Sequence, residues 1–254
     1  MKTHLGLLLL MLLIAVGCDD SSLSSVPKSI ATIGIAPMKG DFKHDEKGRI
    51  AEAWLQFCQI SDDDLRTLES EDALKVLDLS DNSITDAGLA YVGQATQLEA
   101  LYLSGNRLSE KGIAHLKGLH NLESLELGSE VTNTALIHLA GLTKLKWLRL
   151  EWGKFNDLGL ESLENMKGME VLDLRKVSGI NGSGFVYLKQ MTNLRALRLQ
   201  NTNVTDESLV HLEGLTNLQR LDLTYTRVTE QGVSNLKAKL PNCDVTWGRL
   251  KRMR

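Results

Sequence analysis

From Ile50 onward the apolar residues of this chain move between two rhythms. Leucines at every second place, as in Leu77 and Leu79 or Leu197 and Leu199, carry the period of a strand with one buried face. Apolar residues three apart follow, Leu89 and Val92 or Leu209 and Leu212, which is the spacing of a helix face. The couple then recurs. Modules begin at Ile50, Leu74, Leu98, Leu122, Leu145, Met169, Leu194 and Leu218, and stacked they read LxxLxLxx(N/C/T)x(I/V)(T/S)(D/E)xGLxxLxxLxx. One such module leaves a whole apolar face uncovered, so the pattern predicts a stack in which each copy covers the next.

Within a module the LxL segment predicts a short strand, and successive copies pair as a parallel sheet about 4.8 Å apart. The ninth position turns the chain inward and is Cys58, Asn82, Asn106, Gly153, Thr202 and Thr226, with Val177 before a one-residue insertion. Thr85-Asp86, Thr205-Asp206 and Thr229-Glu230 are expected to open helices, the hydroxyl capping free N–H groups and the acid facing the positive helix end. "GDFKHDEKGRI" (40–50) reads as a hairpin leading into the first strand, and "LPNCDVTW" (240–247) as the end of the last helix plus a final strand. The basic tail "GRLKRMR" (248–254) lies beyond it.

On these residues the chain resembles the leucine-rich-repeat proteins, in the TDxGL class found in ribonuclease-inhibitor-like horseshoes, F-box repeat proteins and repeat-bearing bacterial lipoproteins. The clearest copies are "LKVLDLSDNSITDAGLAYVGQATQ" (74–97) and "LRALRLQNTNVTDESLVHLEGLTN" (194–217). The resemblance implies an α/β solenoid of about eight repeats. It would be a right-handed horseshoe with a parallel sheet on the concave face and short helices on the convex face. The motif specifies fold far better than function. F-box relatives need an adaptor-binding helical module before the repeats, and the polar stretch between Cys18 and Ile50 is too short to supply one.

The N-terminus reads as a targeting segment. Lys2 precedes an apolar run from Leu5 to Val16 that ends in "AVGC", similar to a bacterial lipobox in which the cysteine, here Cys18, takes the lipid. An ordinary secretory peptide cleaved near Gly17 is the alternative. The segments are then a signal peptide (1–17), a lipidated N-terminus and polar tether (18–29), an N-terminal cap (30–49), the repeats (50–242), and a capping strand with basic tail (243–254). The protein is expected to be exported and anchored to a bacterial membrane on its periplasmic or cell-surface side. Cys58 and Cys243 lie at opposite ends of the array, beyond the roughly 7 Å a disulfide allows, and are expected as buried thiols.

The balance of 29 basic and 32 acidic side chains gives −3, so no global field favours nucleic acid. No phosphate-binding glycine loop, HExxH, CxxC or GxSxG occurs, so catalysis is not expected and no cofactor is implied. His115, His138 and His211 share one repeat position, yet no third ligand recurs beside them, so no metal site is assigned.

What the repeat leaves free is the sheet's outward face, positions 3, 5, 7 and 8. The second to fourth modules carry Asp78, Asp81, Glu99, Glu123 and Glu126 there or at the flanking second position. The fifth to seventh concentrate Trp147, Arg149, Trp152, Arg175, Lys176 and Arg198, residue types that dominate binding hot spots. These six are the candidate ligand-binding residues of a non-catalytic interaction scaffold. A protein segment is the first expected partner, a glycan stacked on the indoles the second, and a role as recognition subunit of a larger complex the third. Against binding stands a plain ladder, in which Arg149 pairs with Glu126 or Asp173 along a column of alternating sign.

Overall fold

The computed structural model describes residues 40–248 apart from 67, 69 and 70. The expected signal peptide, Cys18, the tether, the first part of the cap and the tail from Arg249 lie outside the described residues. The chain divides into two compact units, residues 1–122 and 123–254, each built from the same repeat.

In the first unit β1 (Asp41–His44) pairs antiparallel with β2 (Ile50–Trp54), and β3 (Val76–Asp78) and β4 (Ala100–Tyr102) follow in parallel. The predicted hairpin is therefore present. Asp45 closes its turn by accepting the N–H groups of Lys47 and Arg49. The second unit holds β5 (Ser124–Glu126), β6 (Trp147–Arg149), β7 (Val171–Asp173), β8 (Ala196–Arg198), β9 (Arg220–Thr224) and β10 (Asp244–Gly248). They are parallel throughout and in register, Leu148 beside Leu172 and Leu197 beside Leu221.

The alternation explains the core. Leu77, Leu79, Leu101, Leu125, Leu148, Leu150, Leu172 and Leu197 are fully buried, as are Leu89, Val92 and Leu212 from the helical side. Each such side chain stabilises the fold by about 1.5–3 kcal/mol relative to exposure. At the ninth position Asn82 donates from Nδ2 to the carbonyls of Leu55 and Leu79, and its Oδ1 accepts from Ile60 N–H. Asn106 repeats this one module later. Thr202 and Thr226 donate to the carbonyls of Leu199 and Leu223, and Thr226 also accepts the N–H of Val228. Cys58 and Cys243 are both free and buried.

The Thr–Asp pair does more than cap its own helix. Thr85, Ser109 and Thr229 do accept a backbone N–H from their own first turns, as expected. The acid, however, reaches into the following repeat. Asp62 accepts the N–H and hydroxyl of Thr85, Asp86 those of Ser109, and Asp206 those of Thr229. Asp157 takes three backbone N–H groups, from Asn181, Gly182 and Gly184, where the inserted residue displaces the motif. The glycine of TDxGL makes room for this contact: a Cβ on Gly112 would strike the Asp86 carboxylate, and one on Gly232 that of Asp206. One expectation fails. Thr205 makes no side-chain cap, and the segment it opens, Asp206–Leu212, is a 3-10 helix, as are Asp157–Leu163 and Ser183–Leu188.

Candidate functional site

All six candidate residues lie in the second unit, on or just beyond β6, β7 and β8. Register places Trp147 beside Ser124 and Val171, and Arg149 between Glu126 and Asp173, which in turn faces Arg198. Fully buried Asp173 is the centre. Arg175 binds it from Nε (2.8 Å) and Nη2 (2.8 Å), Arg198 from Nη1 (3.2 Å), and Arg149 lies 3.9 Å away through Nε. Glu151 is the second centre, held by Arg149 (2.6 Å), Arg175 (3.0 Å) and Lys176 (2.9 Å). Arg149 also reaches Glu126 at 3.2 Å.

A buried carboxylate is tolerated only when paired, so Arg149 and Arg175 have a structural duty. With Asp222 beside Arg198 in register, four cations face four carboxylates. The basic zone seen in the sequence is therefore compensated and presents no bare positive field. Burial pushes the Glu151 carboxyl up, but hydrogen bonds from Arg149 and Lys176 and the charge of Arg175 outweigh it and leave it below its ordinary value. Burial likewise opposes the charge on Arg149, and the bond to Glu151 with the charge of Glu126 more than restores it. The Asp173 bond holds Arg175 above the usual guanidinium range.

Trp152 is different in kind. It is 58% exposed and its backbone is left-handed, φ +67°. This belongs to a column: the eighth position is left-handed at Phe57, Asp81 and Gly105 in the first unit, and at Trp152, Lys176, Asn201 and Tyr225 in the second. The bend is held because the same residues' N–H groups still donate across the sheet, Trp152 to Arg175 carbonyl and Tyr225 to Gly248 carbonyl. Gly, Asn and Asp adopt this conformation readily, whereas other residues carry a cost of roughly 1–2 kcal/mol. Three aromatics therefore sit exposed at positions the backbone would sooner give to glycine. Lys176 lays its ammonium 4.3 Å from the Trp152 ring centroid.

Reading the eighth position as free of constraint misses this. The signal was present in Asp81, Gly105 and Asn201 sharing that column. Tyr225, 41% exposed, belongs to the same column and lies outside the six candidates. On the sheet face a depression of about 220 Å³ opens between Ala196, Arg198, Arg220, Asp222, Asp244 and Thr246. In the first unit Trp54 and Tyr102 stack at 5.8 Å across the strand that carries Asp78. Among the described residues, no cluster of His, Cys, Asp and Glu is placed to hold a metal ion.

A family model described as a leucine-rich repeat region matches residues 64–242. Among solved structures, an internalin from Listeria monocytogenes is similar at 21% identity and TM-score 0.59, over 74% of this chain and 51% of that one. An internalin C2 from the same organism matches at 23% identity and TM-score 0.62, over 78% of this chain and 80% of its own. The Arabidopsis receptor kinase HAESA ectodomain, solved with an IDA peptide hormone ligand, matches at 19% identity and TM-score 0.63 over 95% of this chain and 40% of that one. The chain thus spans about half the length of the first internalin. No curated protein matches it in sequence. At these identities the likeness carries the fold, and the ligand has to be argued from the site.

Proposed function

The chain belongs to the leucine-rich-repeat family, and from that premise we propose that it is a non-catalytic scaffold binding a protein segment on the outward sheet face of its second unit. The observation that carries this is Trp152, an indole left in water on a backbone conformation that disfavours it. Beyond the contact with Lys176, that placement serves no fold contact among the described residues, and exposed aromatics beside arginines are the usual anchors of a protein interface. Tyr225, Arg198 and the depression beside β8 and β9 extend the surface. A protein ligand is favoured over a glycan because Lys176 already covers one face of the Trp152 ring. Two structural relatives were solved with peptide hormones bound, which agrees with a peptide-like partner. We also propose export and lipid anchoring through Cys18, on the lipobox-like residues alone.

The test is affinity capture from membranes with three proteins compared. Trp152→Ala combined with Arg198→Ala should abolish capture of partner and move the melting temperature little, since Asp173 keeps Arg175. A collapse in stability would make both residues structural and end the binding reading. Cys18→Ser should release the protein from the membrane fraction, and its retention there would remove the anchoring proposal.

A further inference from the structure

The two outermost strands are treated differently. β1 is charged and antiparallel, carries a register shift between Lys43 and His44, and ties Lys43 to Glu52. Charge and irregularity of this kind discourage further strand pairing. β10 is less protected: its one charge is Asp244 at its first residue, it runs five residues in unbroken register with β9, and it ends the strand order among the described residues.

Main-chain direction alternates along a strand. Asp244 N–H donates to the Gln219 carbonyl and the Gly248 carbonyl accepts from Tyr225, so Asp244, Thr246 and Gly248 face β9. The N–H and C=O groups of Val245 and Trp247 therefore point away from it, with no partner among the described residues. Trp247 stands beside fully buried Leu223, in the column of core residues, yet is 39% exposed. Asp244 and Thr246 are exposed on the other face.

From this edge we infer that the protein forms a two-fold dimer in which β10 of one copy pairs antiparallel with β10 of a second copy. The segment is self-complementary in that arrangement. With Thr246 on the axis, Val245 of each copy exchanges both main-chain bonds with Trp247 of the other, giving four hydrogen bonds from groups otherwise unmet. The side chains match as well, valine beside tryptophan on the core face and threonine beside threonine on the outward face, both favourable cross-strand pairs. Acidic Asp244 falls opposite uncharged Gly248, so no like charges meet across the pair. A two-fold contact uses one patch twice, so it closes and does not propagate.

Thr246 on the axis is a non-hydrogen-bonded antiparallel pair, with Cα atoms about 4.5 Å apart, within disulfide range. Asp244 would lie about 14 Å or more from its counterpart. The full chain is examined by native mass spectrometry, with oxidative cross-linking of Thr246→Cys and Asp244→Cys against the unaltered protein. The expected result is a doubled mass for the unaltered protein, a disulfide-linked dimer for Thr246→Cys, and none above background for Asp244→Cys. Thr246→Lys, which sets two ammonium groups face to face on an exposed site, should lose the dimer while its circular-dichroism spectrum stays that of the folded protein. A monomeric unaltered protein, equal cross-linking at both positions, or a dimer that survives Thr246→Lys would overturn the inference.

Discussion

Trp152 and Asp173 mark the two opposite uses of a polar sheet face. Asp173 is fully buried and held at two nitrogens by Arg175, so that arginine answers first to folding. Trp152 answers to nothing inside the molecule except the ammonium of Lys176. Glu151 lets the structural half be measured. Its carboxyl is held below the ordinary 4.5, so the network stabilises the fold above that pH. That contribution drains away as pH falls through the lower folded value. Thermal melts across the acid range should show Glu151→Gln less stable than the unaltered protein at neutral pH, by about 1–3 kcal/mol. The two curves should converge in acid. Parallel curves over the whole range would show that Glu151 does not couple to the fold. At this scale the sequence was only half legible: the alternating column foretold the pairing of Arg149, but nothing in one strand reveals that Asp173 has no solvent.

At the scale of the element, the TDxGL motif is a contact between neighbours. The acid of one copy fastens the cap of the next, and the glycine of the next clears space for that acid. Gly112→Ala should therefore cost about 1–3 kcal/mol, because the Asp86 carboxylate must move. Gly118→Ala, where a Cβ meets nothing within 4 Å, should change stability by less than about 0.5 kcal/mol. Denaturant melts of the two variants decide it, and equal effects would dissolve the argument. Strand and helix positions were readable because their periods, two and near four, are imposed by a buried face. The acid's reach was not, since a Thr–Asp pair looks like an ordinary cap until the next copy is set beside it. The 3-10 segments were not readable either, because a helix of six or seven residues presents too few apolar positions to distinguish the two windings.

For the whole molecule, the repeat made the fold of the described residues legible, including the hairpin before β2 and the final strand β10. It left the ligand surface only partly so. Position within the repeat identified the outward sheet face, and the left-handed eighth column, hinted at in sequence by Asp81, Gly105 and Asn201, is established by the backbone angles. The central claim is that this face meets a partner. A photoreactive phenylalanine analogue placed at 152 tests it most directly, with the same probe at Ile137 on the helical side, also exposed at 61%, as control. Irradiation in the producing cell should yield one discrete adduct from position 152, absent from position 137 and lost on Arg198→Ala. The same adducts from both positions, or none from 152, would contradict the account.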